Sequence, residues 1–88
     1  MRRTEREAVF QSRFLEDFTY WVTDRKTTLR VLELVHAVLQ DPFAGIGKPE
    51  LLKFGLAGSW SRRITQEHRL VYEVSQTQIR FHQARYHY

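Results

Sequence analysis

The stretch that decides the fold is WSRRITQEHRLVYEV, residues 60–74. It contains two runs rich in β-branched and aromatic residues, 60–65 and 68–74, separated by the polar pair Gln66–Glu67. Runs of this kind around a short polar break are typical of paired strands. A third run, 78–86, follows after another polar break, so the second half of the chain predicts three strands in a meander.

The sequence before this stretch has helical periodicity instead. Apolar residues recur every three or four positions from Ser12 to Val22 and again from Leu29 to Leu39. Asp24 is a candidate N-cap for the second helix. Asp41-Pro42 should end that helix, because proline disfavours helical geometry in the residue before it. A short strand at 8–11 is expected ahead of the first helix.

A loop separates the helices from the meander. The decapeptide DPFAGIGKPE, residues 41–50, contains two glycines and two prolines, which is typical of a loop. Residues 51–56 offer one additional strand, so the order is β-α-α-β-β-β with a possible fourth late strand, in a single domain spanning 1–88. This order predicts an α+β fold in which two N-terminal helices pack on one face of a mainly antiparallel sheet and leave the other face open.

Charge is distributed unevenly along the chain. Residues 1–47 contain seven basic and seven acidic side chains, whereas 48–88 contain seven basic and three acidic ones, which accounts for the net charge of +4. A basic half predicts a polyanionic partner, although a solvated basic face would leave the same pattern. Without cysteine there are no disulfides or thiolate metal sites. A signal peptide and a membrane span are not found, which predicts a cytoplasmic protein.

Several side chains of the basic half could act together in catalysis. They are Glu50, Lys53, Arg62, Arg63, Glu67, Arg69, Arg85, His87 and Tyr88. Together they offer a carboxylate base, cations for a phosphate and an imidazole acid, the groups that metal-free RNA cleavage through the 2′-OH requires. Any one of them alone is compatible with a surface ion pair. The histidines lack metal-ligand spacing and Gly45–Lys48 lacks that of a phosphate-binding loop, so neither metal nor cofactor is expected.

Two segments carry a resemblance to a known family. GKPELLKFGLAGSWSRRITQEHRLVYEV, residues 47–74, and ARYHY, residues 84–88, closely resemble the YoeB/Txe toxins of type II toxin–antitoxin systems. The resemblance extends over about residues 10–88. It implies a RelE-like microbial ribonuclease fold and endoribonuclease (mRNA interferase) activity.

The resemblance also implies roles for individual residues. At matching positions, Glu50 would be the general base, Arg69 the phosphate-binding arginine, His87 the general acid and Tyr88 a substrate-orienting residue. The residues implied to contact RNA or to support the site are Lys48, Lys53, Arg62, Arg63, Glu67 and Arg85.

Partners follow from the same resemblance. It implies cleavage of mRNA in the A site of the 70S ribosome, neutralisation by a YefM-like antitoxin, homodimers in some members, and operator DNA binding only through the antitoxin complex, in the bacterial cytoplasm. Leu51 and Phe10 depart from the residues common in relatives. Residues 1–7 precede the usual start and are interpreted as a flexible leader.

Two questions stay open from the sequence. A non-catalytic RNA- or ribosome-binding module would also explain the basic, aromatic-rich second half, and so would a structural subunit with an acidic partner. At the C-terminus, strand parity would put His87 on the side of Arg85 and Tyr88 on the other side. A site that uses both residues therefore requires the chain to leave strand geometry, and we expect an ordered terminus.

Overall fold

The computed structural model describes residues 6–53 and 58–86. In chain order its elements are β1 (Glu7–Phe10), α1 (Ser12–Trp21), α2 (Arg25–Gln40), β2 (Glu50–Leu51), β3 (Ser59–Arg63), β4 (Arg69–Val74) and β5 (Gln78–Gln83). The predicted order of elements is confirmed. The additional strand exists as the short β2, and part of its predicted span, 54–56, lies outside the described residues.

The strands form one sheet in the order β1-β5-β4-β3-β2. The pairs β2–β3, β3–β4 and β4–β5 are antiparallel, as the meander predicts. β1 instead pairs in parallel with β5, from Glu7 opposite Gln78 to Phe10 opposite Phe81. The sheet is therefore mixed. A strand of four residues carries no local signal for its direction or its neighbour, so this pairing was not predictable.

The interpretation of residues 1–7 as a leader needs a correction at its end. Glu7 is the first residue of β1, and its amide donates to the Thr77 carbonyl at 2.9 Å. Arg6 Nε donates to the Ser75 carbonyl at 2.7 Å. These two residues are therefore part of the folded domain, and residues 1–5 lie outside the described residues.

Both ends of α2 match their sequence signals. The Asp24 carboxylate accepts hydrogen bonds from the Thr27 amide at 3.0 Å and from the Thr27 hydroxyl at 2.9 Å. These bonds stabilise the ionised carboxylate and lower the pKa of Asp24. At the other end, Asp41 is extended with φ −153° immediately before Pro42, and the helix stops at Gln40. No helix in the described parts of the chain is long and apolar enough to cross a membrane.

The core lies between the helices and one face of the sheet. Its buried apolar side chains include Phe14, Trp21, Val31, Leu34, Val35 and Val38 from the helices and Leu70, Tyr72, Ile79 and Phe81 from the strands. Trp21 is buried and Trp60 packs at the rim, as expected. Because side chains alternate along a strand, Arg69, Val71 and Glu73 of β4 point to the opposite side. We call that side, away from α1 and α2, the second face.

Candidate active site

Glu50 and Arg69 form the centre of the candidate site on the second face. Glu50 lies opposite Ser61 of β3, and Ser61 lies opposite Val71 of β4. This register brings Glu50 Oε1 to 3.6 Å from Arg69 Nη1. The Glu50 side chain is 66% exposed, whereas that of Arg69 is 13% exposed. An accessible carboxylate thus stands beside a guanidinium that the sheet holds in place.

A second guanidinium lies next to this pair. Arg63 is directly opposite Arg69 in the β3–β4 register. Two like charges facing each other across a strand pair are destabilising. In addition, Nε of each arginine is buried and has no hydrogen-bond partner in the described structure. Cations arranged in this way are suited to bind an anion such as a phosphate, which would supply the missing acceptor and offset the repulsion.

Two serines extend the polar row along β3. Ser59 and Ser61 are buried, and in 6–53 and 58–86 neither hydroxyl has a hydrogen-bond partner. Sequence reasoning missed both serines. The available signal was strand parity, since residues 59, 61 and 63 share one face of β3. Parity alone does not say which face is free of helices, so the signal was insufficient.

Arg62, which the resemblance implies to contact RNA or to support the site, lies on the helix side of the sheet, away from the second face. Its side chain is fully buried. Nε donates to the Tyr72 hydroxyl at 3.1 Å, and the terminal nitrogens donate to the carbonyls of Ala44 and Ile46, each at 3.1 Å, and to that of Asp41. Arg62 thus supports the site indirectly, because it fixes the loop that leads from α2 to Glu50.

Gly47 lets this loop approach the sheet. Its φ is +84°, and a Cβ there would lie 2.7 Å from Leu34 Cδ2. The Gly47 carbonyl accepts from the Arg63 amide at 2.6 Å. Only glycine fits both the left-handed conformation and the close contact. The loop is consequently joined to β3 three residues before Glu50.

The remaining supporting candidates lie at the margin of the site. Lys48 and Lys53 are exposed, and Lys48 has a φ of +52°. Glu67 is exposed in the β3–β4 turn, where its amide donates to the Thr65 hydroxyl at 3.3 Å. A cleft of ≈ 480 Å³ at the end of β3 is lined by Lys48, Arg63 and Arg30, among others. In the described parts of the chain no ion pair joins Lys48, Lys53 or Glu67 to Glu50 or Arg69.

Arg85 is directed at aromatic rings instead of the Glu50–Arg69 pair. Its guanidinium carbon lies 3.5 Å from the centroid of the Tyr20 ring, and Nη2 donates to the Tyr86 hydroxyl at 3.2 Å. That hydrogen bond raises the pKa of Arg85. Arg85 therefore links the C-terminal segment to α1.

The C-terminal segment leaves strand geometry before the site. β5 ends at Gln83, three residues short of the predicted end of the run at Tyr86. Tyr86 has a φ of +64°, a left-handed conformation that is uncommon for a residue other than glycine. The Tyr86 carbonyl accepts from the Arg69 amide at 3.2 Å, so the described chain ends beside Arg69. His87 and Tyr88 lie outside the described residues.

Three further side chains hold this segment, and sequence reasoning gave none of them a role in the site. The Ala84 amide donates to Asp17 Oδ2 at 3.0 Å, and Trp21 Nε1 donates to the Ala84 carbonyl at 2.7 Å. The Tyr86 amide donates to His68 Nδ1 at 2.7 Å. Asp17 is a buried acid on the apolar stripe of α1. Such a charge is rarely buried without a partner, and this signal could have identified it.

Comparisons with known proteins point to one family. Residues 10–88 match the model of the YoeB-like toxin of bacterial type II toxin–antitoxin systems. Toxin YoeB of Streptomyces coelicolor is 50% identical over 80 residues, which cover 90% of this chain and 95% of that protein. The YoeB dimer from Staphylococcus aureus has a TM-score of 0.85 at 38% identity, over 97% of this chain and 100% of that chain. The YoeB–YefM complex from the same organism gives 0.81 at 38% identity, over 94% and 98%.

Proposed function

Because the chain belongs to the YoeB-like toxin family of bacterial type II toxin–antitoxin systems, we propose that it is an endoribonuclease that cleaves mRNA without a metal ion. The observation that carries the proposal is the Glu50–Arg69 pair at 3.6 Å on the second face, with Arg63 directly beside it. An exposed carboxylate next to two incompletely bonded guanidinium groups is the arrangement that a ribose 2′-OH and its adjacent phosphate require.

In the proposed reaction Glu50 removes the proton from the 2′-OH, and the resulting oxygen attacks the adjacent phosphorus. Negative charge then grows on the phosphate oxygens. Arg69 and Arg63 stabilise this charge because their guanidinium groups are already fixed by the sheet and need little reorganisation. His87 donates a proton to the departing 5′-oxygen, and Tyr88 orients the nucleotide. The products are a 2′,3′-cyclic phosphate and a free 5′-hydroxyl.

The substrate restriction follows from the same chemistry. The attacking group is the 2′-OH, which DNA lacks, so RNA is the substrate. We propose that the message is cleaved in the A site of the ribosome. We also propose that a YefM-like antitoxin neutralises the toxin, as the YoeB–YefM complex of the S. aureus relative suggests. A homodimer is proposed by analogy with the S. aureus YoeB dimer, and operator DNA would be contacted only through the antitoxin complex.

Mapping of mRNA ends after brief induction tests the proposal. The parental protein should produce discrete new ends within translated messages, and Glu50→Gln should reduce their rate of formation about 10²-fold, as loss of a general base typically does. Glu33→Gln is the matched control, because Glu33 is an exposed acid on α2 that pairs only with Arg30 among the described residues.

Two results would contradict the proposed function. Ribosome stalling without new mRNA ends would instead support a non-catalytic ribosome-binding module. Equal cleavage by the Glu50→Gln and Glu33→Gln variants would remove Glu50 from the mechanism. Co-expression of the neighbouring reading frame should suppress the new ends if that frame encodes the antitoxin.

A further inference from the structure

The segment Ala84–Tyr86 is held from both sides at the point where the chain reaches the site. On the α1 side, Asp17 accepts from the Ala84 amide at 3.0 Å and Trp21 donates to the Ala84 carbonyl at 2.7 Å, and both of these bonds are buried. On the β4 side, His68 accepts from the Tyr86 amide at 2.7 Å. The segment therefore has its backbone groups fixed by side chains after the β-ladder has ended.

The bond between His68 and Tyr86 defines the state of the imidazole. A backbone amide can only donate, so Nδ1 of His68 must accept and cannot carry a proton. The ring is consequently neutral, with its hydrogen on Nε2. Its position is set by Trp21, whose ring lies edge-on at 4.7 Å between centroids, and by the Tyr86 ring at 5.0 Å.

Tyr86 has an uncommon backbone conformation at the point where this bond is made. Its φ of +64° is costly for a residue with a Cβ, and such a conformation persists where surrounding contacts impose it. The two contacts that act on its backbone are the amide bond to His68 Nδ1 at 2.7 Å and the carbonyl bond from the Arg69 amide at 3.2 Å. His68 and Arg69 are consecutive, so these two hydrogen bonds fix the position of Tyr86 relative to Arg69.

We propose that His68 is a positioning residue: as a neutral hydrogen-bond acceptor it fixes the left-handed turn at Tyr86, which immediately precedes the proposed catalytic residues His87 and Tyr88. This inference rests on the proposed catalytic roles of His87 and Tyr88. His68 itself takes no proton from the substrate. It acts through the main chain, and Asp17 and Trp21 hold the preceding residue in place.

Two substitutions separate the effect of the hydrogen-bond acceptor of His68 from the effect of its aromatic ring. His68→Asn retains an acceptor, since the Asn Oδ1 atom occupies nearly the position of His Nδ1, but it loses the aromatic contacts with Trp21 and Tyr86. His68→Phe retains an aromatic ring for those contacts and loses the acceptor. If the acceptor positions the terminus, Asn preserves activity and Phe does not. If packing is what matters, the order is reversed.

The experiment measures single-turnover cleavage of an mRNA bound to 70S ribosomes, together with hydrogen exchange of the Tyr86 amide in the purified, untagged protein. We expect His68→Phe to lower the maximal rate about 10- to 100-fold, as a displacement of about 1 Å at a reacting group can. The protein concentration for half-maximal rate should stay unchanged. Exchange of the Tyr86 amide should accelerate in the Phe variant and stay slow in the Asn variant, which should cleave within about threefold of the parental rate, since its acceptor is kept.

The inference is overturned if His68→Phe cleaves at the parental rate, if His68→Asn loses as much activity as His68→Phe, or if Tyr86 exchange is the same in both. A His87→Gln variant measured in parallel distinguishes this from failure of the proposed function. If His87→Gln cleaves at the parental rate, the catalytic role of His87 is wrong. If it is slow while His68→Phe is fast, only the positioning role is wrong.

Discussion

Arg62 and Arg63 are adjacent in sequence, yet they lie on opposite faces of β3 and differ in their burial and in their hydrogen bonds. Arg62 is fully buried and donates to a hydroxyl and three carbonyls. Arg63 faces Arg69 across the strand pair, and its buried Nε has no partner in the described structure. The two arginines therefore carry the same charge and differ in the donors that the protein leaves without a partner. Arg62 already makes four hydrogen bonds within the protein, whereas the buried Nε atoms of Arg63 and Arg69 make none in the described structure.

The largest effect that this comparison predicts is on catalysis. Arg69→Ala should lower the rate of mRNA cleavage about 10²- to 10³-fold, because it removes a fixed donor from the growing phosphate charge. It should leave the free energy of unfolding nearly unchanged, since it also relieves the repulsion with Arg63. Cleavage of ribosome-bound mRNA and urea unfolding measure the two quantities. Arg25→Ala, an exposed arginine at the start of α2, is the control. A parental rate of cleavage in Arg69→Ala would show that the unpaired donors of Arg69 do not contribute to catalysis.

The next effect is on stability and concerns the other face. Arg62→Met should lower the free energy of unfolding by about 3 kcal/mol, because a tyrosine hydroxyl and three carbonyls lose their donor inside the protein. Arg63→Met should change it by less than about 0.5 kcal/mol, as is usual for substitutions that break no buried contact. Urea denaturation of the two variants side by side provides the test. Similar losses for both would mean that the two arginines do not differ as described.

A smaller effect on stability concerns Tyr72, which accepts a hydrogen bond from Arg62 on the helix side of the sheet. Burial raises the pKa of Tyr72, whose hydroxyl donates to the Pro42 carbonyl at 2.8 Å and accepts from Arg62. Because the unfolded tyrosine ionises near pH 10 and the folded one at higher pH, the contribution of Tyr72 to stability should be constant below pH 10 and fall as the pH rises above it. Tyr72→Phe should cost about 1–3 kcal/mol at neutral pH through the lost hydrogen bonds. In alkaline urea titrations it should also remove this part of the pH dependence.

The smallest effect lies outside both faces, at the start of α2. Hydrogen bonds from Thr27 lower the pKa of Asp24. Since the folded pKa is depressed, the stabilisation is present above the unfolded value near pH 4 and is lost as the pH falls through the folded value. Asp24→Asn keeps a capping acceptor and removes the charge. Its midpoint of urea unfolding should match the parental one well below pH 4 more closely than at pH 7. A constant difference at all pH values would contradict this account.

Local chemistry in the sequence explains why much of the fold was predictable. Asp24 marks the start of α2 and Asp41-Pro42 its end, in both cases through contacts with immediate neighbours. The β-branched runs of the meander each pair with the next run along the chain. The direction of β1 and the end of β5 depend on residues far away in sequence. Pairing at that distance leaves no periodic signal, so the parallel direction of β1 was not predicted and β5 was expected to continue to Tyr86.

The residues of the candidate site also divide into those that the sequence identified and those that it did not. Resemblance of short motifs identified Glu50 and Arg69, which the structure brings together at 3.6 Å. It did not separate Arg62 from Arg63, because a motif does not show which face of a strand carries the helices. The hydrogen bond between His68 and the Tyr86 amide was also missed. It depends on the left-handed conformation of Tyr86, and no residue type in QARYHY predicts such a turn.

The parallel pairing of β1 with β5 has a consequence for how the chain folds. The β3–β4 hairpin joins residues close in sequence and can form early, whereas β1 must wait for a partner that begins at Gln78. Closing so long a loop is slow, and contacts between distant residues are made late in folding. α1 also packs against β5. We therefore expect the first and last strands to dock in the final step.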